Sequence, residues 1–301
     1  MFTNPDSPIA VGQSLSEHGY LSDTGLATAV FLAMTMKRPL FLEGDPGVGK
    51  TELAKVLSTW MGGDLIRLQC YEGIDSAQAL YEWDYPKQLL HLRASESLPE
   101  DQNSGTAREG ELYSESFLIR RPLLQALDYH GEGIPVLLID EIDRADDEFE
   151  AFLLEILSEY SVTIPELGQI SAKTVPLVVI TSNRTRDVHD ALKRRCLYHW
   201  ISHPTLEREI DILKLKAPDV DEVLSRQVAT AVQQMRSFGL FKPPGVAETI
   251  DWATALGKLG EAKLTEESLA ATLGAVLKYR EDQERVVSQG LSMILSAVRD
   301  A

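Results

Sequence analysis

The chain has 301 residues, of which 44% are hydrophobic and 25% charged, enough for a sizeable core and two domains of an ordinary globular protein. Its 46 acidic residues outweigh 29 basic ones, and the net charge of −17 disfavours a non-specific grip on nucleic acid through a basic surface. No run approaches the roughly 18 apolar residues of a membrane span. Met1 to Ala10 has neither the basic start nor the apolar core of a leader, and Cys70 and Cys196 lack metal or CxxC spacing, so a cytoplasmic protein in a reducing compartment is expected.

Residues 1–20 read as an irregular lead-in, and 21–36, rich in Ala and Leu, as a helix. The apolar run 38–43 reads as a strand. It leads into Gly44-Asp45-Pro46-Gly47-Val48-Gly49-Lys50-Thr51, which matches the phosphate-binding pattern G-x-x-x-x-G-K-[ST] at every fixed position. Leu53, Val56, Leu57, Trp60 and Met61 then recur at helical spacing until Gly62-Gly63 stops the helix.

Residues 64–69 predict a second strand, followed by a short helix capped by Asp75 and an aromatic stretch with Tyr81, Trp83 and Tyr85. The stretch 94–111 carries too little apolar surface to order itself and reads as a mobile loop. Pro122 suits the first turn of a helix that Gly131 ends. The run 135–139 predicts a strand buried on both faces, ending in Asp140-Glu141. A helix over 146–160, a hairpin within 162–175, a buried strand over 175–181, a short helix carrying Lys193-Arg194-Arg195 and a strand over 197–202 follow. Beyond His203 strands disappear. Helices are expected near 205–216, 219–237, 246–258 and, broken, 265–300, which places a domain boundary between 1–203 and 204–301.

A strand, a glycine loop and a helix form the context in which the motif works. Backbone N–H groups of the loop cradle phosphates while the positive end of the following helix faces the anion. Lys50 would reach the β and γ phosphates, and Thr51 would place its hydroxyl on magnesium. Asp140 would hold the same ion, directly or through water, and Glu141 would orient the water that attacks the γ-phosphate. Asn183, at the end of the next buried strand, is placed to touch that water and the γ-phosphate. Arg194 and Arg195 are either a solvated pair at a helix C-terminus or an arginine finger given to the nucleotide of a neighbouring subunit, Arg195 being the first choice. His189, His199 and His203 lack ligand spacing. Trp60, Trp200 and Trp252 read as core, and Trp83 as the aromatic to test as a partner contact.

The segments GDPGVGKT at 44–51, VLLIDEIDRA at 136–145, VVITSN at 178–183 and LKRRC at 192–196, in that order, resemble the AAA+ ATPases and, within them, the MoxR family. Asp143-Arg144-Ala145 looks like that family's Asn-Arg-Ala with one substitution. The stretches 70–92 and 162–175 look like the insertions that family carries around its central segment, and the stretches 68–90 and 243–252 look closest to the subgroup that includes CoxD, a chaperone associated with maturing a molybdenum and copper carbon monoxide dehydrogenase. The resemblance implies an α/β P-loop fold with five parallel strands in the order 5-1-4-3-2 and an all-helical lid. It further implies ATP and Mg2+ as cofactors and a ring, expected as a homo-hexamer, with active sites between subunits. A protein client, such as a metalloenzyme subunit, and a partner with a von Willebrand factor A domain are implied as well. One departure is visible: where relatives carry a nucleotide-sensing arginine in a Gly-x-x-x-Arg context, Gly245 is followed by Val246-Ala247-Glu248-Thr249, and Lys242 is the nearest cation.

Two other readings compete with a client-remodelling ATPase. An AAA+ machine acting on nucleic acid is disfavoured by the acidic balance, and a nucleotide-gated scaffold with negligible hydrolysis is opposed by Glu141, Asn183 and the arginines. No Asn-Lys-x-Asp motif of a GTPase follows the loop.

Overall fold

The computed structural model describes residues 4–95 and 111–300. The stretch 94–111, expected as a mobile loop, lies almost wholly outside the described residues. The chain divides into two compact units. One holds the described residues within Met1–Val11, Thr24–Glu43 and Ala54–His199, the other those within Gly12–Asp23, Gly44–Leu53 and Trp200–Ala301.

The strands are β1 (Leu40–Gly44), β2 (Gly62–Gln69), β3 (Tyr81–Trp83), β4 (Leu118–Arg120), β5 (Ile134–Asp140), β6 (Ser161–Ile164), β7 (Gly168–Ser171), β8 (Leu177–Ser182) and β9 (Leu197–Ile201). Five form one sheet in the order β2-β5-β8-β1-β9, and β2–β5, β5–β8 and β8–β1 pair in parallel. Numbered among themselves along the chain, these strands run 5-1-4-3-2, the expected P-loop order. Every residue of β8, and every residue of β5 after Ile134, is buried, which is why both read as unbroken apolar runs. Phe41, Leu137, Ile139, Val178 and Ile180 build the sheet's contribution to a core completed by Leu123, Leu124, Leu153 and Ile156 from helices. The hairpin expected within 162–175 is β6–β7, paired antiparallel from Ser161↔Ser171 to Ile164↔Gly168.

In the second unit, helices Leu206–Lys216, Glu222–Ser237, Val246–Lys258, Glu266–Val276 and Arg280–Asp300 enclose Leu224, Val228, Val232, Leu256 and Ile294. The side chains of Thr205, Asp221 and Thr265 accept from first-turn amides and fix three of the helix starts. Trp252 is fully buried there, its indole N–H donating to Thr272 Oγ1 at 2.7 Å.

Four expectations are corrected. The lead-in contains a helix, Pro8–Glu17: Ser7 Oγ accepts from the Ala10 amide at 3.3 Å, Pro8 opens the first turn, and Val11 and Leu15 are fully buried one turn apart. The helix starting at Pro122 ends at Leu127, short of Gly131, and the residues just before it form β4. Trp200 is not core but 37% exposed, because β9 is an edge strand whose side chains alternate. Trp83 is only 7% exposed, packed edge-on against Tyr113 at 5.2 Å between ring centres and paired opposite Leu118 of β4, so it is a buried side chain of the first unit and not an exposed partner contact.

Candidate active site

The phosphate-loop residues belong to the second unit. Lys50 opens the helix Lys50–Met61, so the positive end of that helix starts inside the motif. Its side chain is buried back over the loop, the ammonium donating to the carbonyls of Gly44 at 2.7 Å and Asp45 at 2.8 Å. Gly47 adopts φ +79°, and a Cβ there would lie 2.7 Å from Glu248 Oε2. The reason is a second helix start. Val246 and Ala247 both donate their amides to the Gly47 carbonyl, at 2.9 and 3.2 Å, while the Gly245 amide donates to Glu248 Oε2 at 3.1 Å. His203 faces Asp45 of the loop at 3.4 Å; burial, and then the charge of Arg236, hold its imidazole below the ordinary pKa. Burial likewise raises the hydroxyl pKa of Tyr20, whose ring stands beside Gly49.

The acidic residues belong to the first unit. Parallel pairing sets Glu43 opposite Ser182 and Ile139 opposite Ile180, so β1, β5 and β8 end at one edge of the sheet. Asp140 is 4% exposed; Thr181 donates to its Oδ1 at 2.5 Å and Arg67 to its Oδ2 at 2.6 Å. The same Thr181 hydroxyl accepts the Glu141 amide at 3.0 Å. Glu141 is left-handed, φ 56° and ψ 51°, a conformation that costs about 1–3 kcal/mol in a non-glycine residue and turns its side chain off the strand line. Its carboxylate stands 3.4 Å from Arg144. Asp143 is buried and accepts from the Asn183 amide at 3.2 Å, the Thr185 amide at 2.8 Å and the Thr185 hydroxyl at 2.6 Å. The polar end of β8 is thereby clamped to the turn after β5. Beside these carboxylates the Cys70 thiol is pushed up to about 12, first by burial and then by the negative charge of Asp140.

Arg194 and Arg195 end the helix Asp190–Arg195. Arg38 caps that helix, donating to the Arg194 carbonyl at 2.7 Å and the Arg195 carbonyl at 3.0 Å. The Arg195 guanidinium donates to the Leu154 carbonyl at 3.1 Å, and the Arg194 guanidinium has no partner among the described residues. Glu150, fully buried, accepts the His189 amide at 2.7 Å and pairs with Arg186, which fixes the start of the same helix.

Among the described residues no group of three or more His, Cys, Asp or Glu could hold a metal. The buried Asp140 carboxylate is a hard-oxygen donor of the kind that suits magnesium when phosphates supply further ligands, and the Thr51 hydroxyl, in the second unit, is a donor of the same kind. Sequence reasoning missed Arg67, Thr181 and the Gly245–Glu248 helix start. The Arg in an otherwise apolar strand and the Thr closing a buried one were the available signals. The contact with Gly47 had none. Lys242, the cation nearest the missing lid arginine, has its ammonium 5.9 Å over the Tyr279 ring.

The helices among the described residues include none long and apolar enough to cross a membrane. Residues 39–196 match the family model of the AAA domain, dynein-related subfamily. A curated relative, the uncharacterized protein YehL of Escherichia coli K12, is 27% identical over 175 residues, 55% of this chain and 42% of YehL, so the chain matches less than half of that protein's length. Among solved structures, a candidate ATPase from Cytophaga hutchinsonii is similar at 14% identity and a TM-score of 0.49, covering 98% of this chain and 94% of that one. The Holliday junction branch-migration motor RuvB of Thermotoga maritima is similar at 16% identity and a TM-score of 0.44, covering 90% and 72%. With the matched model spanning more than half of the chain, from the strand before the phosphate loop to the arginine pair, this protein belongs to the dynein-related subfamily of AAA domains.

Proposed function

We propose that the chain is a magnesium-dependent ATPase of MoxR type, closest to the CoxD-like subgroup, that assembles as a cytoplasmic ring and spends hydrolysis on remodelling a protein client. In this reading residues 1–203 form the nucleotide-binding domain and 204–301 its lid. The client is a metalloenzyme subunit awaiting maturation or a complex awaiting assembly, and a protein with a von Willebrand factor A domain assists. The observation that carries turnover, rather than binding alone, is the strand-end arrangement: a buried Asp140 held by Thr181, a left-handed Glu141, and Asn183 tied through its amide to Asp143.

Each residue then has one task. Lys50 releases its loop carbonyls and binds the β and γ phosphates, neutralising charge in a water-poor site. Thr51 and Asp140 would hold magnesium, which would supply electrostatic stabilisation of the phosphates. Glu141 orients a water so that its oxygen attacks the γ-phosphorus while the bond to the β–γ bridging oxygen breaks, and Asn183 holds the other side of that water. The arginine finger comes from the neighbouring subunit, worth about 10³–10⁵ in rate. Arg194 leads as its source, because the Arg195 guanidinium is engaged with Leu154 of its own chain.

The test is ATP turnover per subunit against protein concentration, for wild type, Arg194→Ala and Arg195→Ala. A per-subunit rate that rises with concentration and collapses in one arginine variant supports a site completed in trans. A flat rate that neither substitution changes overturns the ring reading.

A further inference from the structure

Glu209 is fully buried within the second unit and carries four hydrogen bonds. Arg236, with a side chain only 9% exposed, grips it at two points of 2.7 Å each, Thr249 donates at 2.8 Å, and Gln233 at 3.0 Å. A buried ion pair of this kind is weak evidence for stability, since apolar residues of equal volume serve as well, so its contacts beyond the pair are what distinguish it. The third donor of Arg236 supplies one. Its Nε donates to the Pro244 carbonyl at 2.8 Å. The ion pair therefore holds the residue that leads, through Gly245, into the helix Val246–Lys258. That helix is the one whose first two amides hold the Gly47 carbonyl. The approach is tight from both sides: a Cβ on Gly245 would stand 2.8 Å from Gly47 Cα and 2.8 Å from the Pro46 carbonyl.

We propose that Glu209 and Arg236 are positioning residues for the phosphate loop. They set the height of the Pro244–Gly245 corner, the corner sets where the Val246 and Ala247 amides meet Gly47, and those two bonds fix the loop in its phosphate-accepting shape. The contact is made by backbone amides and needs no lid cation. It rests on the reading of residues 44–51 as the nucleotide loop.

Three variants test it in the full chain, with nucleotide affinity, KM for ATP and kcat at saturating ATP as readouts. Arg236→Met fills the same volume without the grip on Pro244, and Arg236→Lys restores the charge without the two-point grip. Gly245→Ala leaves the ion pair in place and pushes the corner off Gly47. Arg236→Met and Gly245→Ala are each expected to raise KM and the nucleotide Kd by about tenfold or more with kcat within about twofold, and Arg236→Lys to recover part of the loss. A purely structural pair would lower the melting temperature and leave KM alone. Should Arg236→Met fail to fold, Gly245→Ala decides alone: an unchanged KM overturns the proposal. Lys50→Ala separates the two layers. If it still binds nucleotide at full strength, the loop reading itself fails; if it loses nucleotide while Gly245→Ala does not, only the positioning role fails.

Discussion

Arg67 and Asp140 meet at one oxygen: the guanidinium donates to Asp140 Oδ2 through Nη2 at 2.6 Å and Nε at 3.1 Å, while the other carboxylate oxygen takes the Thr181 hydroxyl. The carboxylate proposed to hold magnesium thus already faces a cation on the neighbouring strand. Arg67 competes with the metal for that charge. Its side chain is 53% exposed, so solvent screens the pair and limits its worth to about 1 kcal/mol. Arg67→Ala is expected to lower the magnesium concentration for half-maximal turnover a few-fold, and less so at high salt. An unchanged or raised magnesium requirement would assign Arg67 to holding Asp140 in place instead.

Asp143 clamps the end of β8 to the turn after β5, and the structure explains why its carboxylate matters. Three donors converge on its two oxygens, and an amide would turn its own NH2 towards backbone donors. Asp143→Ala is expected to cost on the order of 3 kcal/mol in urea denaturation, because it leaves the amides of Asn183 and Thr185 unpaired. Asp143→Asn should lose a smaller part of this and still lower kcat through a displaced Asn183. A variant with wild-type stability and kcat would remove the clamp from the account.

The phosphate loop, the acidic end of β5, the polar end of β8 and the arginine helix were all legible, because each is a local pattern: a motif, or a polar pair closing an apolar run. The order of the five strands came with the family resemblance and agrees with the observed pairing. What was illegible is contact between segments distant in sequence. Gly47 and Gly245 lie almost two hundred positions apart, and nothing in either local sequence announces that they pack without room for a Cβ. Arg38 was read as the start of a strand, yet it caps the arginine helix. Trp83 failed for a related reason: an aromatic cluster with Tyr81 and Tyr85 reads as a contact surface, whereas Trp83, paired opposite Leu118, is buried.

His203 gives the fold a sign-definite pH dependence. Burial lowers its pKa below the ordinary 6.5, so the unfolded chain binds the proton more readily than the folded one. The stability contributed by neutral His203 is complete above pH 6.5 and is lost as pH falls through the window below it. Wild type is expected to lose more melting temperature between pH 7 and pH 5.5 than His203→Gln, measured side by side so that carboxylate titration cancels. Equal losses would contradict the assignment.

Both cysteines are buried and free, with thiols pushed up to about 12, by burial first in each case. Since the thiolate is the nucleophile, neither is expected to react with iodoacetamide at pH 8 in the folded protein, and both should react in denaturant. Rapid labelling of Cys70 in the native state would mean that the sheet edge next to Asp140 opens readily.

The most direct measurement of the central claim compares wild type with Glu141→Gln, reading ATP affinity and ATP turnover on the same preparations with magnesium present. The strand-end geometry predicts that Glu141→Gln binds ATP within about twofold of wild type while its turnover falls by about 10²-fold or more. Turnover at the wild-type rate in that variant would contradict the account, because the residue whose backbone the fold strains at the end of β5 would then have no part in hydrolysis.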